Sequence, residues 1–145
     1  SVEGPVSSVD AGGMALAGIV GLAGPDFRGI LHVACTDAAA NRLAGALLGG
    51  EEPDAGGPGM VADSIGELTN MIAGSVKRRL DDSGSRIELS LPSVLQGEAT
   101  LHGIGATGGA HMTWTVEGHR VRTSLVYIQD LATAGVDLRS VGGRA

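Results

Sequence analysis

The sequence predicts an α+β protein in which two helices stand between groups of strands. Apolar runs and alternating segments typical of strands occur in both halves of the chain, whereas two helical segments follow each other in the middle. The predicted order is β-β-α-α-β-β-β-β, without the regular strand–helix alternation that a parallel sheet requires. We therefore expect an antiparallel or mixed β-sheet packed against long helices.

The first two strands are predicted to form a hairpin. Met14–Ala23 and Arg28–Cys35 are apolar runs, and Gly24-Pro25-Asp26-Phe27 joins them with residues that favour a turn. The first run is too short to span a bilayer. The polar segment Ser1–Gly13 is interpreted as a linker or frayed N-terminus.

Two helices are predicted after the hairpin. Thr36-Asp37 can cap a helix over Asp37–Leu48, which Gly49-Gly50 ends. Glu51–Gly59 contains two prolines and three glycines and is predicted to be a loop. The second helix is predicted over Val61–Leu80.

The next strand is predicted at Arg86–Leu91 because its residues alternate strictly between polar and apolar. This alternation places Ile87, Leu89 and Leu91 on the buried side. Glu98–Ala106 is a weaker strand candidate.

The last two strands are predicted as a second hairpin. His111–Val116 alternates, with Met112, Trp114 and Val116 facing inward, and Glu117-Gly118-His119 turns the chain into Arg120–Ile128. The predicted domain therefore spans residues 14–128. Gln129–Ala145 is interpreted as a C-terminal tail with at most a short turn.

Composition excludes several classes of function. The chain has 145 residues, of which 16 are acidic and 10 are basic, and its formal net charge is −6. This balance argues against binding to nucleic acid or to an anionic membrane surface. Cys35 is the single cysteine, so the chain has no internal disulfide; the lone thiol is interpreted as a core residue and fits a reducing cytoplasm.

Two familiar patterns lack the context that they need. Gly103-Ile-Gly105-Ala-Thr-Gly108 matches the dinucleotide-binding pattern, but a predicted strand follows it where that site needs a helix. Of the four histidines, His102 and His111 could approach across a hairpin, but two imidazoles alone make a poor closed metal site. We therefore predict no metal site on this chain.

The helix Val61–Leu80 carries the candidate site. Apolar residues repeat at helical spacing on its predicted core face: Val61, Ile65, Leu68, Ile72 and Val76. The opposite face carries Asp63, Glu67, Asn70, Gly74 and Lys77. A short carboxamide beside a carboxylate is unusual on a solvated face, and a glycine inside a helix costs about 1 kcal/mol relative to alanine. From spacing alone, an ordinary surface helix with a tolerated glycine remains an alternative.

The segment Asp63-Ser-Ile-Gly-Glu67-Leu-Thr-Asn70-Met-Ile-Ala-Gly74 resembles the signature helix of the CheC/CheX/FliY chemotaxis phosphatases. Pro92 follows Asn70 at the family's distance, within Leu91-Pro92-Ser93-Val94-Leu95-Gln96-Gly97, which resembles the segment after the family's next strand. The chain is most similar to the CheX type, because it carries one Glu-x-x-Asn helix where CheC-type proteins carry two. It departs from the family in lacking the long amphipathic helix that usually precedes the hairpin.

The resemblance implies a cytoplasmic phosphatase that hydrolyses the aspartyl phosphate of a CheY-like response regulator. Glu67 matches the acidic residue that docks on the regulator's active-site lysine, and Asn70 matches the residue that orients the attacking water. Asp63, Gly74 and Lys77 are expected to contact the partner. The resemblance implies no cofactor on this chain, Mg²⁺ on the regulator, and a homodimer whose sheets join edge to edge.

Two other functions are compatible with the same residues. A non-catalytic CheX-like module that docks on a receiver domain or a flagellar switch protein would also need the face of Asp63 and Glu67. A dimeric scaffold in which the motif is coincidental would need neither residue. Loss of activity with retained binding in an Asn70 variant would distinguish the enzyme from both.

Overall fold

The computed structural model describes residues 8–10, 13–49, 58–97, 100–102 and 105–129. Its elements confirm the predicted α+β class, with two helices between groups of strands. In chain order they are β1 (Ser8–Asp10), β2 (Leu16–Ala23), β3 (Phe27–Cys35), α1 (Asp37–Leu47), α2 (Pro58–Asp82), β4 (Glu88–Leu89), β5 (Ser93–Gln96), β6 (Thr100–His102), β7 (Gly108–Val116) and β8 (His119–Gln129).

All strand pairs of the larger sheet are antiparallel. The strand order is β4-β2-β3-β8-β7, and β5 also pairs with β2. The predicted hairpin is confirmed, since β2 and β3 pair over their whole shared length, from Leu16 opposite Cys35 to Ala23 opposite Arg28. The last strand, β8, lies between β3 and β7 and makes β3 a central strand.

The segments predicted at the two ends are described only in part. Within the segment interpreted as a linker, Ser8–Asp10 form β1, which pairs with β6 in a separate two-stranded sheet. β6 covers the middle of the weaker strand candidate Glu98–Ala106. Gln129 ends β8, and residues 130–145 of the predicted tail lie outside the described residues.

Both helices lie on one face of the larger sheet and bury most of the core there. α1 starts as predicted, because the Thr36 hydroxyl accepts a hydrogen bond from the Ala39 amide at 3.2 Å. Cys35 is fully buried beside α1, and burial, with the nearby Asp37 carboxylate, raises its pKa to about 11. This confirms Cys35 as a core residue, not an activated thiol.

The buried line of α2 is rotated from the predicted core face. Ile65, Thr69, Ala73 and Leu80 are almost completely buried, whereas Leu68 and Ile72 of the predicted series are half-buried. The reason lies in the sheet. α2 crosses β2 at Gly18, where the missing side chain lets the helix come down onto Thr69.

The contact between Gly18 and Thr69 is the tightest that α2 makes with the sheet. The Thr69 hydroxyl donates to the Ile65 carbonyl at 2.7 Å, so it is satisfied within the helix. A Cβ atom on Gly18 would lie 1.9 Å from Thr69 Oγ1 and 2.9 Å from Thr69 Cβ. Only glycine therefore allows this separation between helix and strand.

The predicted strand Arg86–Leu91 is interrupted, and the inward orientation of Leu91 is wrong. Ile87 is buried and Leu89 is half-buried, but the Leu91 side chain is 87% exposed. Ser90 leaves the regular ladder: its hydroxyl accepts a hydrogen bond from the Gly21 amide at 2.8 Å, and its amide donates to the Gly21 carbonyl at 2.9 Å. Residues 90–92 therefore form a break between β4 and β5.

The prediction for Met112 is also wrong. Trp114 and Val116 pack against the core as predicted, but Met112, on the same face of β7, is 57% exposed. β7 is the edge strand of the sheet, and its first half extends beyond the cover of the helices. The predicted turn is confirmed, with positive φ angles of 48° at Glu117 and 82° at Gly118.

Replacing Gly18 by alanine tests the seat of α2. We expect Gly18→Ala to lower the free energy of unfolding by about 1–3 kcal/mol, because the added methyl group overlaps Thr69. Urea denaturation would measure the change. Gly59→Ala, in the first turn of the same helix with open space around its Cβ, is the control and should be close to neutral. Equal stability of both variants would contradict this account.

His32 predicts a pH dependence of stability. It is 1% exposed, between Ile19 and Ser124 of the neighbouring strands, and burial together with the Arg122 guanidinium lowers its pKa from 6.5. Below pH 6.5 the unfolded chain binds a proton that the folded protein refuses, so the free energy of unfolding should fall, by at most about 1.4 kcal/mol per pH unit.

Urea denaturation between pH 5 and pH 7.5 would measure this slope. His32→Gln should be less sensitive to pH over that range, whatever its absolute stability. His119→Gln, next to the β7–β8 turn, should keep the slope of the wild type. An unchanged slope in His32→Gln would refute the assignment.

Candidate functional site

The five predicted site residues lie along one line of α2, on the side away from Thr69 and Ala73. We call this line the polar stripe: Asp63, Glu67, Asn70, Gly74 and Lys77. Successive members are three or four residues apart, so each is the neighbour of the next on the helix surface. The Asp63 and Glu67 side chains are exposed, and the other three positions are half-buried.

Pro92 lies against the same helix. A Cβ atom on Gly66 would lie 3.4 Å from Val94 Cγ2 and 4.0 Å from Pro92 Cβ, so the break before β5 packs directly against α2 at Gly66. Gly66 stands one turn before Asn70. The structure thus brings Pro92, distant from Asn70 in the sequence, to the flank of the polar stripe.

Gly66 is a residue of the site that the sequence reasoning missed. Its role is to admit Pro92 and Val94 next to the helix, as Gly18 admits Thr69 on another side. The available signal was a second glycine within the motif, between Asp63 and Glu67, where a helix former would otherwise be favoured. Gly74 differs from it, because no atom lies within 4 Å of a Cβ placed there. Packing within this chain therefore does not require Gly74.

The two ends of the polar stripe differ in charge. Asp63 and Glu67 form an acidic end. At the other end Lys77 forms an ion pair with Asp81, whose other carboxylate oxygen accepts a hydrogen bond from the Ile87 amide at 2.9 Å. These hydrogen bonds lower the pKa of the Asp81 carboxyl. Lys77 therefore also helps to fasten the end of α2 to the segment before β4.

The polar stripe lies on a convex surface. The large groove in the described part of the chain, about 790 Å³, lies beyond Lys77 between the β2–β3 turn and the segment after α2, and its lining includes neither Glu67 nor Asn70. Sites for small molecules are usually concave. A carboxylate and a carboxamide on an exposed helix face fit a surface that meets a large partner.

The chemistry available at the stripe is that of hydrogen bonding and charge. The Asn70 carboxamide offers an NH₂ donor and a carbonyl acceptor, and Glu67, three residues before it, offers a carboxylate. Within the residues that the structure describes, no three His, Cys, Asp or Glu side chains come together to hold a metal ion. Of the described helices, none has the length and apolar character needed to cross a membrane.

Comparison of the structure with solved structures finds the same fold in chemotaxis proteins. The chemotaxis protein CheX from Vibrio vulnificus superposes with a TM-score of 0.68 at 25% sequence identity, covering 79% of this chain and 75% of its own. CheX from Desulfovibrio desulfuricans gives a TM-score of 0.69 at 21% identity, with 90% and 81% covered. A chain of the CheX–CheY–BeF₃–Mg²⁺ complex from Borrelia burgdorferi gives 0.59 at 22%, with 79% and 77% covered.

The sequence itself matches a family model. Curated protein sequences give no significant match to this chain. The model described as chemotaxis phosphatase CheX matches residues 16–108, which is more than half of the chain and runs from the start of β2 to the start of β7. The matched region includes the whole polar stripe and Pro92. The resemblance noted in the sequence is thereby confirmed, and the chain belongs to the CheX family of chemotaxis phosphatases.

Proposed function

We propose that this chain hydrolyses the aspartyl phosphate of a CheY-like response regulator, with Asn70 orienting the attacking water. The observation that carries the proposal is the placement of Glu67 and Asn70 side by side on the convex face of α2, in a chain of the CheX family. The similarity to the CheX–CheY–BeF₃–Mg²⁺ complex from Borrelia burgdorferi supports a regulator of this kind as the partner.

Asn70 has the chemistry that such a reaction needs. Its carbonyl oxygen can accept a hydrogen bond from a water molecule while its NH₂ group donates to a phosphoryl oxygen. The water then attacks phosphorus in line as the bond to the aspartyl oxygen breaks, giving inorganic phosphate and the free carboxylate. Because the transition state of phosphoryl transfer is loose, positioning can supply much of the rate gain. Mg²⁺, expected on the regulator, would neutralise the developing charge.

The rest of the polar stripe aligns the two proteins. The exposed Glu67 carboxylate is proposed to bind the ammonium group of the regulator's active-site lysine, one helical turn from Asn70. Asp63 extends the acidic end of the contact. Gly74 leaves clearance for the regulator's backbone, which explains a glycine that packing within this chain does not require. Lys77 would contact the partner while its ammonium group remains paired with Asp81.

The assembly is proposed to be a homodimer. β7 pairs with β8 on one side and forms an edge of the larger sheet. An edge strand of this length presents unpaired backbone groups that a second copy could extend. This edge lies on the far side of β8 and β3 from β2, against which α2 packs, so pairing there would leave the polar stripe open to the regulator.

Asn70→Ala is expected to abolish catalysis and to preserve binding. The decay of a phosphorylated CheY-like receiver domain, with substoichiometric amounts of this protein, would measure turnover. We expect the wild type to accelerate decay and Asn70→Ala to lose on the order of 100-fold or more of that acceleration, since the group that positions the water is missing. Retained binding to the receiver, measured by calorimetry, would show that the variant is folded.

Two further variants separate the roles of the pair. Glu67→Ala should weaken binding of the receiver, and Asn70→Asp should be as inactive as Asn70→Ala because it sets a negative charge against the phosphoryl group. Half of the wild-type rate in Asn70→Asp would refute the water-orienting role. Binding by the wild type without faster decay, with several receivers, would instead identify a docking module.

Gly74→Ala should separate stability from function. Alanine inside a helix is favoured over glycine by about 1 kcal/mol, and open space surrounds this position, so the melting temperature should rise. The new methyl group would stand where the regulator's backbone approaches, so KM for the phosphorylated receiver should increase. Ser75→Ala, next to Gly74 and off the polar stripe, is the control and should leave KM unchanged. A more stable variant with unchanged KM would refute the clearance role.

A further inference from the structure

We propose that two exposed apolar side chains, Leu91 and Met71, border the polar stripe on opposite sides and form the docking contacts by which this protein selects its receiver domain. The inference rests on the proposed function and adds the chemistry of the surface that the partner must present. It assigns a role to residues that neither the core nor the catalytic pair uses.

Leu91 owes its exposure to the break between β4 and β5. The two hydrogen bonds between Ser90 and Gly21 hold one end of the break, and the packing of Pro92 against Gly66 holds the other. Between these fixed points the Leu91 side chain is 87% exposed, the highest value among the large apolar side chains that the structure describes. Breaks of this kind in a sheet edge re-aim side chains and are common next to active sites.

Met71 stands on the other side of the stripe. It is 53% exposed and lies four residues after Glu67, so the two side chains are neighbours on the helix surface. Gly66, against which Pro92 packs, lies four residues before Asn70 instead. Asn70 is therefore flanked by the segment that carries Leu91, and Glu67 is flanked by Met71.

Neither side chain contributes to the core. Leu91 and Met71 belong to none of the buried apolar clusters in the described part of the chain, and both lie largely in water. Exposed apolar side chains on both sides of a polar centre match the anatomy of a protein interface, in which surrounding contacts exclude water from a few decisive groups. Water exclusion would strengthen the hydrogen bonds of Asn70 and Glu67 in the complex.

The occupant is the receiver domain that docks on Glu67 and Asn70, because both apolar residues adjoin that pair. A single helix can rotate about its axis against a partner, and a contact on each side removes this freedom. The partner must then carry apolar surface on two sides of its phosphorylated aspartate. A receiver with charged residues at those places would be a poor substrate even if its catalytic groups were the same.

Steady-state dephosphorylation with varied receiver concentration tests the inference. Leu91→Gln and Met71→Gln should each raise KM about tenfold, the effect of losing an interface contact of 1.4 kcal/mol, while kcat stays within twofold of the wild type. Melting temperatures should hardly change, since both positions are exposed. Leu91→Met should restore most of the affinity that Leu91→Gln loses.

Matched controls come from the same protein. Met112 is 57% exposed on the edge strand β7, and Leu95 is 43% exposed on β5, opposite Ala17 and thus on the sheet face away from α2. Met112→Gln and Leu95→Gln should leave both kinetic constants unchanged. If they raise KM as much as the stripe-side variants, surface hydrophobicity in general is responsible and the inference is overturned.

The outcomes also separate this inference from the proposed function. An active wild type whose KM is unaffected by Leu91→Gln and Met71→Gln refutes the docking contacts and leaves the phosphatase intact. A fall in kcat at constant KM refutes them too. An inactive wild type that still binds the receiver refutes the phosphatase, and the dissociation constants of the same variants then decide whether Leu91 and Met71 dock. An inactive wild type that binds no receiver refutes both.

Discussion

The approach of Thr69 to Gly18 is the constraint on which the geometry of the molecule depends. It brings α2 onto β2 at one point and thereby decides which line of the helix is buried. Since Ile65, Thr69 and Ala73 then face the sheet, the residues on the opposite line must face solvent. The exposure of Glu67 and Asn70 is thus a consequence of a glycine in a strand that makes no contact with the partner-facing surface.

A second glycine defines the flank of the same surface. Gly66 lets the break between β4 and β5 approach the helix, so a segment from the edge of the sheet stands next to the turn that carries Asn70. The proposed chemistry depends on positioning, with no covalent intermediate on this chain, and such chemistry needs a rigid support. Close backbone contacts at two places along one helix provide it.

Much of the fold and of the site could be predicted because the signals are local. The hairpin, the Thr36 cap, the turn at Gly118 and the polar stripe each depend on residues within a few positions of one another. The rotation of the core line of α2 could not be predicted, because it depends on Gly18, which belongs to a distant strand. The alternation through Leu91 failed because Ser90 and Pro92 engage Gly21 and Gly66, contacts that no local pattern contains.

The position of β8 has a consequence for the order in which the protein forms. β3 pairs with its sequence neighbour β2 on one side, but on the other side it waits for the last described strand, with Cys35 opposite Val121 and Phe27 opposite Gln129. Val121 also completes the cluster that packs Ile65 and α1. Contacts between segments so far apart in the chain form slowly. The acidic end of the polar stripe therefore gains its full support only after nearly the whole domain has been synthesised.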